Sequence, residues 1–334
     1  MSKVAVIQTA FPGDVILASP MFQALKENDA DCETVAVIRP ESEPLLKNSP
    51  YVDRIVIFDK YGAHKGLSGI LKTASRLRGC QKAYIVQRHV RSAVAALLAR
   101  IPERIGYGNS PARLLYTDRV EYRADRHEVQ RCLDLLGVDD TDKKYRPRIF
   151  VDDQTERKIS ELLVSEGIGG DFAVVAPGSI WPTKRYPYYP GLIHLIEEKL
   201  NLPAVLVGGT ADKHLADNIA ASCKHRPFQL VGRTHLLQSA ALISKARIVF
   251  ANDSAPAHIA AAMGTPVVAI FGPTVPEFGF SPYSDRSRVV DIGQLYCRPC
   301  TTHGSQQCPQ KHFRCMLELP PTAIIDAALQ LLRV

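Results

Sequence analysis

The chain predicts an α/β protein made of two doubly wound, parallel-sheet domains in tandem, and three observations carry that expectation. Short β-branched runs alternate with amphipathic stretches along the whole chain. The alternation happens twice, once in each half. The length, 334 residues, exceeds what one hydrophobic core usually serves and suits two domains of about 150 residues each.

In the first half, "VAVIQ" (4–8), "TVAVIRP" (34–40), "RIVIFD" (54–59) and "KAYIVQ" (82–87) read as buried parallel strands. Between them "ILASPMFQALKEN", "SEPLLKN" and "LSGILKTASRLRG" carry apolar residues at three-to-four-residue spacing and read as helices. In the second half the strands are "FAVVAPG", "PAVLVGG", "FQLVG", "RIVFAND" and "PVVAIFG", with helices such as "YPGLIHLIEEKL" and "ADKHLADNIAASC" between them. Strand–helix–strand units of this kind imply right-handed crossovers. The charged helix and Gly-Gly of "VDDQTERKISELLVSEGIGG" (151–170) mark the boundary, giving domains 1–165 and 166–334. The last helix, "PPTAIIDAALQLLRV", is placed to cross back onto the first domain. Two such domains are expected to bind ligands in a cleft at the carboxyl ends of their strands.

Composition narrows the class. With 46% hydrophobic and 22% charged residues the chain is of ordinary globular type. No apolar run approaches the roughly 20 residues that span a bilayer, and the N-terminus lacks the apolar core of a signal peptide, so a cytoplasmic location is expected. Between Arg88 and Arg131 stand nine arginines against five acids. Solvated faces explain such a run, and so does an anionic partner: a phosphorylated ligand, a lipid surface or nucleic acid. Few aromatics interleave and no nucleic-acid motif appears, so nucleic acid is the weakest of these.

The chemistry concentrates at strand ends. In "TAFPGDVILASP", Phe11-Pro12-Gly13 forms a turn shaped to present bare amides, yet Asp14 follows it. A helix N-terminus favours an ionised carboxylate, which serves as a cap or as a base towards a sugar hydroxyl. The anion holder is expected in "FANDSAPAHIAAAMGTPVVAIFG", where Asp253, Ser254 and Ala255 open a small-residue helix and His258 lies one turn in. "APGSIWPTKRYP" adds Ser179 after a strand, then Lys184 and Arg185 as cations for a leaving group. Trp181 reads as packing or a lid. Gly208-Gly209 ends a third strand, apt for close approach of a nucleotide. No Walker loop, G-x-G-x-x-G, H-E-x-x-H or G-x-S-x-G occurs.

Cys297, Cys300, Cys308 and Cys315 are clustered in "CRPCTTHGSQQCPQKHFRC", with His303 and His312 as further possible ligands. Their unequal spacing leaves three readings open: a structural zinc site, disulfides, or reduced thiols.

Together "GDVILASP", "APGSIWPTKRYP" and "NDSAPAHIAAAMGTPVVAIFGPT", in that order over nearly the whole chain, resemble the ADP-heptose:lipopolysaccharide heptosyltransferases, glycosyltransferase family 9. The cysteine-rich tail is closer to the second heptosyltransferase than to the first. The resemblance implies a GT-B fold, with acceptor on the first domain and nucleotide sugar on the second. It implies an inverting enzyme that needs no metal or other cofactor. Asp14 falls on the general base, and Lys184 on a second catalytic position. Gly13, Ser179, Lys184, Gly209, Asp253, Ser254, Ala255 and His258 fall on the donor site. Arg88 and Arg91 stand where a Kdo- or heptose-bearing lipid A core would meet the enzyme at the inner face of the inner membrane. One departure is plain: the family's acid after the paired glycines, for adenosine ribose, is replaced here by Thr210-Ala211-Asp212. Either Asp212 substitutes or that contact is lost. The alternatives are another GT-B nucleotide-sugar transferase or epimerase, and a non-catalytic nucleotide-sugar-binding protein.

Overall fold

A computed structural model describes residues 2–60 and 62–333. The chain divides into two compact units, residues 1–150 and 151–334. The division lies ahead of the expected 165/166, because helix α7 (Asp153–Ser165) packs against α10 (Leu236–Ser244) and so belongs with the second unit.

The first unit is a six-stranded sheet ordered β3-β2-β1-β4-β5-β6, every neighbouring pair parallel. Its strands are β1 (Lys3–Ile7), β2 (Glu33–Ile38), β3 (Arg54–Ile57), β4 (Lys82–Ile85), β5 (Glu103–Tyr107) and β6 (Asp118–Val120). β1 and β2 are buried on both faces, which is why they read as unbroken apolar runs. The short, half-polar β5 and β6 at one edge carry no such signal. The expected first helix is two: α1 (Pro12–Ala18) and α2 (Pro20–Asn28), separated at Ser19 because Pro20 has no N–H to continue the ladder. These, with α3 (Glu43–Leu46) and α6 (Glu128–Asp134), cover one sheet face through Val15, Met21, Phe22, Leu46 and Cys132. The other face carries α4 (Gly66–Leu77) and α5 (Val90–Leu98), seated through Ala74, Leu77, Ala93 and Ala96.

The second unit repeats the plan in the order β12-β11-β10-β7-β8-β9, again all parallel. Its strands are β7 (Ala173–Ala176), β8 (Ala204–Leu206), β9 (Phe228–Gln229), β10 (Ile248–Asn252), β11 (Val267–Ile270) and β12 (Ser287–Val290). The remaining helices are α8 (Tyr189–Leu195), α9 (Lys213–Ser222), α11 (Ala255–Ala262), α12 (Arg314–Leu317) and α13 (Pro321–Leu332). α13 packs within the second unit. Ile324, Ile325, Ala328 and Leu331 seat it on β11, β12 and α8 of its own unit.

Each sheet has one seam where successive crossovers leave in opposite directions, between β1 and β4 and between β7 and β10. Beyond the carboxyl ends of such strand pairs the covering helices diverge, and ligands bind there.

In α4, a Cβ at Gly69 would overlap the backbone carbonyl of His64, which cannot swing aside as a side chain can. Gly69→Ala is therefore expected to destabilise the first unit by about 2 kcal/mol, read as a lower urea midpoint. Gly79→Ala, where no atom stands within 4 Å but φ is +85°, should cost only about 1 kcal/mol.

Candidate active site

At the first seam, β1 ends at Ile7 and the chain turns through Phe11 into α1. Asp14, third residue of that helix, reaches back to accept a hydrogen bond from the Phe11 amide at 3.1 Å. Gly13 beside it is buried. The carboxylate thus caps its own helix and stands at the seam as well, so the cap and base readings are compatible. Charges gather round it. Lys60, just beyond β3, is 7% exposed. Burial, with Arg39 and Arg91 nearby, lowers its pKa, while Glu41 and Asp14 pull the other way. His89 is held down by burial and by Lys60, Arg91 and Arg88.

Sequence reasoning missed the support beneath. Arg131, 1% exposed, donates from Nε to Glu128 at 2.8 Å and from a terminal nitrogen to the Ala124 carbonyl at 3.2 Å. Burial pushes the Glu128 carboxyl up to about 7 against the pull of Arg131, and the charge of Asp14 adds to the rise. Tyr122 lies between two guanidinium groups, Arg88 at 4.5 Å and Arg131 at 4.9 Å from its ring. Arg88 and Arg91 are both exposed. In the sequence, Glu128 and Arg131 looked like members of the surface arginine run.

At the second seam the ends of β7 and β10 are locked together by Asn252. Its carbonyl accepts from the Tyr186 amide at 3.1 Å and the Tyr189 hydroxyl at 3.0 Å, and its amide donates to the Pro177 carbonyl at 2.8 Å. This fixes the Pro182–Lys184 turn over Asp253. Lys184 Nζ donates to Asp253 Oδ2 at 2.6 Å, and the Thr274 hydroxyl donates to the same oxygen at 2.7 Å. Lys184 and Asp253 are both buried. Lys184 is thus not the free cation that the sequence suggested but half of a buried ion pair. Arg185 turns away, its guanidinium donating to the Ser179 carbonyl at 2.7 Å. The Ser179 hydroxyl accepts from the Trp181 amide at 3.2 Å.

Ser254 and Ala255 begin α11, and the Ser254 side chain does not cap it, donating instead to the Asn252 carbonyl at 3.3 Å. His258 is buried, and its Nδ1 has no hydrogen-bond partner. Asp212 folds back so that its Oδ2 accepts from the Gly209 amide at 3.0 Å. Its carboxylate lies across two glycines: a Cβ would stand 2.5 Å from it at Gly178 and 2.9 Å at Gly208. Asp212 therefore reaches the strand end that its neighbour Ala211 cannot.

Residues 291–313 are irregular and clasp this site. Ser305 accepts from the Thr183 hydroxyl at 2.8 Å, Trp181 meets His303 edge-on at 5.0 Å, and Arg298 donates to the Gly272 carbonyl at 2.6 Å. Cys297 lies 3.8 Å from His312 Nε2, and the Cys300 thiol faces the Cys297 carbonyl at 3.1 Å. Cys297, Cys300, Cys308 and Cys315 are all unbridged. Among the described residues no three His, Cys, Asp or Glu side chains form a group that could hold a metal ion.

Two doubly wound parallel sheets in tandem, each with polar residues gathered at its seam, follow the two-domain plan of the GT-B glycosyltransferases. The signature of glycosyltransferase family 9 (heptosyltransferase) matches residues 70–311, and the chain belongs to that family. It is 25% identical to lipopolysaccharide heptosyltransferase 2 of Salmonella typhimurium, over 87% of this chain and 88% of that one. Its fold is similar to a family 9 glycosyltransferase from Veillonella parvula (TM-score 0.86, 22% identity, 99% of this chain and 97% of the other). It is similar too to E. coli ADP-heptose lps heptosyltransferase II (TM-score 0.78, 22% identity, 99% and 98%).

Two outcomes are expected. Lys184→Met strands the buried Asp253 charge and should lower the stability of the second unit by about 3 kcal/mol in urea unfolding. Adding Asp253→Leu to that variant should restore most of the loss. Burial holds the His258 imidazole neutral down to about 4, against an ordinary 6.5. The unfolded chain takes up a proton below 6.5 that the folded chain refuses. The stability this residue contributes is therefore complete above pH 6.5 and declines as pH falls towards 4, by about 3 kcal/mol in all. Compared with wild type, His258→Gln should show a flatter loss of stability across that window.

Proposed function

We propose that the protein transfers heptose from an ADP-heptose donor to the inner core of lipopolysaccharide, with inversion at the anomeric carbon. The observation that carries this reading is Asp14 at the carboxyl edge of the first seam, its carboxylate held towards the helix start by the Phe11 amide and within electrostatic reach of the buried Lys60. The similarity to chains named as lipopolysaccharide and ADP-heptose heptosyltransferases supports the sugar and the acceptor class. On this reading Asp14 removes the proton from an acceptor hydroxyl, and that oxygen attacks the anomeric carbon as the bond to the ADP phosphate breaks. The sugar passes through an oxocarbenium-like state. Arg88 and Arg91 draw in the acidic groups of a lipid A–Kdo or heptose–Kdo acceptor.

In the second unit the α11 amides behind Ser254 and Ala255 receive the diphosphate, with the vacant Nδ1 of His258 one turn behind. Lys184 acts there as the partner of Asp253: the pair is buried, so a modest shift of Nζ towards an incoming phosphate would bring positive charge to the leaving group. Ser179 and Gly209 follow neighbouring strand ends, and Asp212, folded back onto Gly209, would meet the adenosine ribose. The enzyme would work at the inner face of the inner membrane.

The test is ADP release with ADP-heptose and a heptose-deficient core acceptor. ADP should form only when acceptor is present. Asp14→Asn should lower kcat by about 10²–10⁴-fold while ADP-heptose still binds, as followed by calorimetry. ADP formation without acceptor, or a variant that keeps full turnover, would remove Asp14 from the role of base.

A further inference from the structure

The helices on one face of the first sheet are built the wrong way round for a water-exposed layer. α4 buries Gly69, Thr73, Ala74 and Leu77 but turns Leu67 and Leu71, one turn apart, to solvent. α5 buries Ser92, Ala93, Ala95 and Ala96 and exposes Val90, Leu97 and Leu98. α4 and α5 pack together, and the turn Arg113–Leu115 against α5 adds Leu114. These six apolar side chains are between 40% and 79% exposed. An ordinary surface helix keeps its large apolar residues inside. Leucines shown outward over an alanine-lined seat mark a surface that something apolar covers.

The charge around them says what. From Lys60 to Pro102 the chain holds nine Lys and Arg residues and no Asp or Glu. On this layer Lys65, Lys72, Arg76, Arg78, Arg100 and Arg113 are all exposed. α4 follows β3 and α5 follows β4, so both helices begin at the carboxyl edge of the sheet, where Asp14 and Arg88 lie. No helix among the described residues is long and apolar enough to cross a membrane.

We propose that the outer face of α4 and α5 is a docking surface for an anionic lipid bilayer, the leucines entering the headgroup boundary and the cations pairing with lipid phosphates. Apolar insertion and cationic attraction act together in such binding, neither being sufficient alone. With that face on the leaflet, the carboxyl edge of the sheet, where Asp14 lies, runs alongside the membrane and is open to the sugar portion of a lipid-anchored acceptor. This inference rests on the acceptor class proposed above.

The experiment is sedimentation of the full chain with vesicles, in the absence of donor and acceptor, so that its outcome is separate from that of the turnover assay. Binding is expected to vesicles of phosphatidylethanolamine and phosphatidylglycerol, weakened by salt, and not to phosphatidylcholine. Leu67→Ser with Leu71→Ser should lower the partition coefficient about tenfold, and so should Lys72→Glu with Arg76→Glu. Leu97→Ser with Leu98→Ser gives a second apolar probe, and an unchanged urea midpoint shows that each variant is folded. Equal binding to both vesicle types, no binding, or binding indifferent to these substitutions would overturn the proposal. Self-association in ultracentrifugation that is lost in Leu67→Ser with Leu71→Ser would overturn it too, assigning the face to a second copy of the chain.

Discussion

A parallel sheet needs a crossover for every strand, and where two crossovers depart in opposite directions the helices cannot close over the strand ends. That constraint acts at β1/β4 and at β7/β10, and the polar chemistry of both units follows from it. Backbone amides that would otherwise be covered are left available. The side chains at those positions are held by bonds to neighbouring strand ends, as Asn252 is to Pro177 and Tyr186. Rigidity at the seam comes from the sheet, and chemical variety comes from the turns that leave it.

The two seams solve different electrostatic problems. Asp14 is coupled to the buried cation of Lys60, and an opposite charge of that kind favours an ionised carboxylate. Among the described residues, the charges that act on His258 are Lys184 and Asp253, paired with each other, so their fields at the imidazole largely offset. The buried Glu128–Arg131 pair plays a third part, fixing Tyr122 and through it the guanidinium of Arg88.

Much of this was legible in the sequence because strand ends are marked by local composition. Pro-Gly-Asp after β1, Pro-Gly-Ser after β7 and Asn-Asp-Ser after β10 all announce themselves within three residues. What was not legible depends on long-range contact. Thr274 reaches Asp253 from 21 positions away, and the Thr183 hydroxyl donates to Ser305 across 122. No local pattern distinguishes these from any surface threonine. Lys184 and Asp253 were both found, but their pairing was not, since a strand-end acid and a turn lysine show no mutual signal. β5 and the edge strands β6 and β12 were missed because half-polar runs such as "ERIGY" and "SRVV" lack both alternation and an apolar block. The exposed leucines of α4 fitted the helical period, which says that a face is apolar but not whether it points inward.

The division at Phe150/Val151 has a further consequence. Every bond described around Asp14 comes from the first 150 residues, and every bond described around Asp253 from the rest. On the proposed reading, the groups that would bind the sugar giver and the sugar taker are written in separate stretches of gene. Recombination near codon 150 could exchange one partner while leaving the other intact, a route by which a lineage could diversify its surface glycans without rebuilding an enzyme.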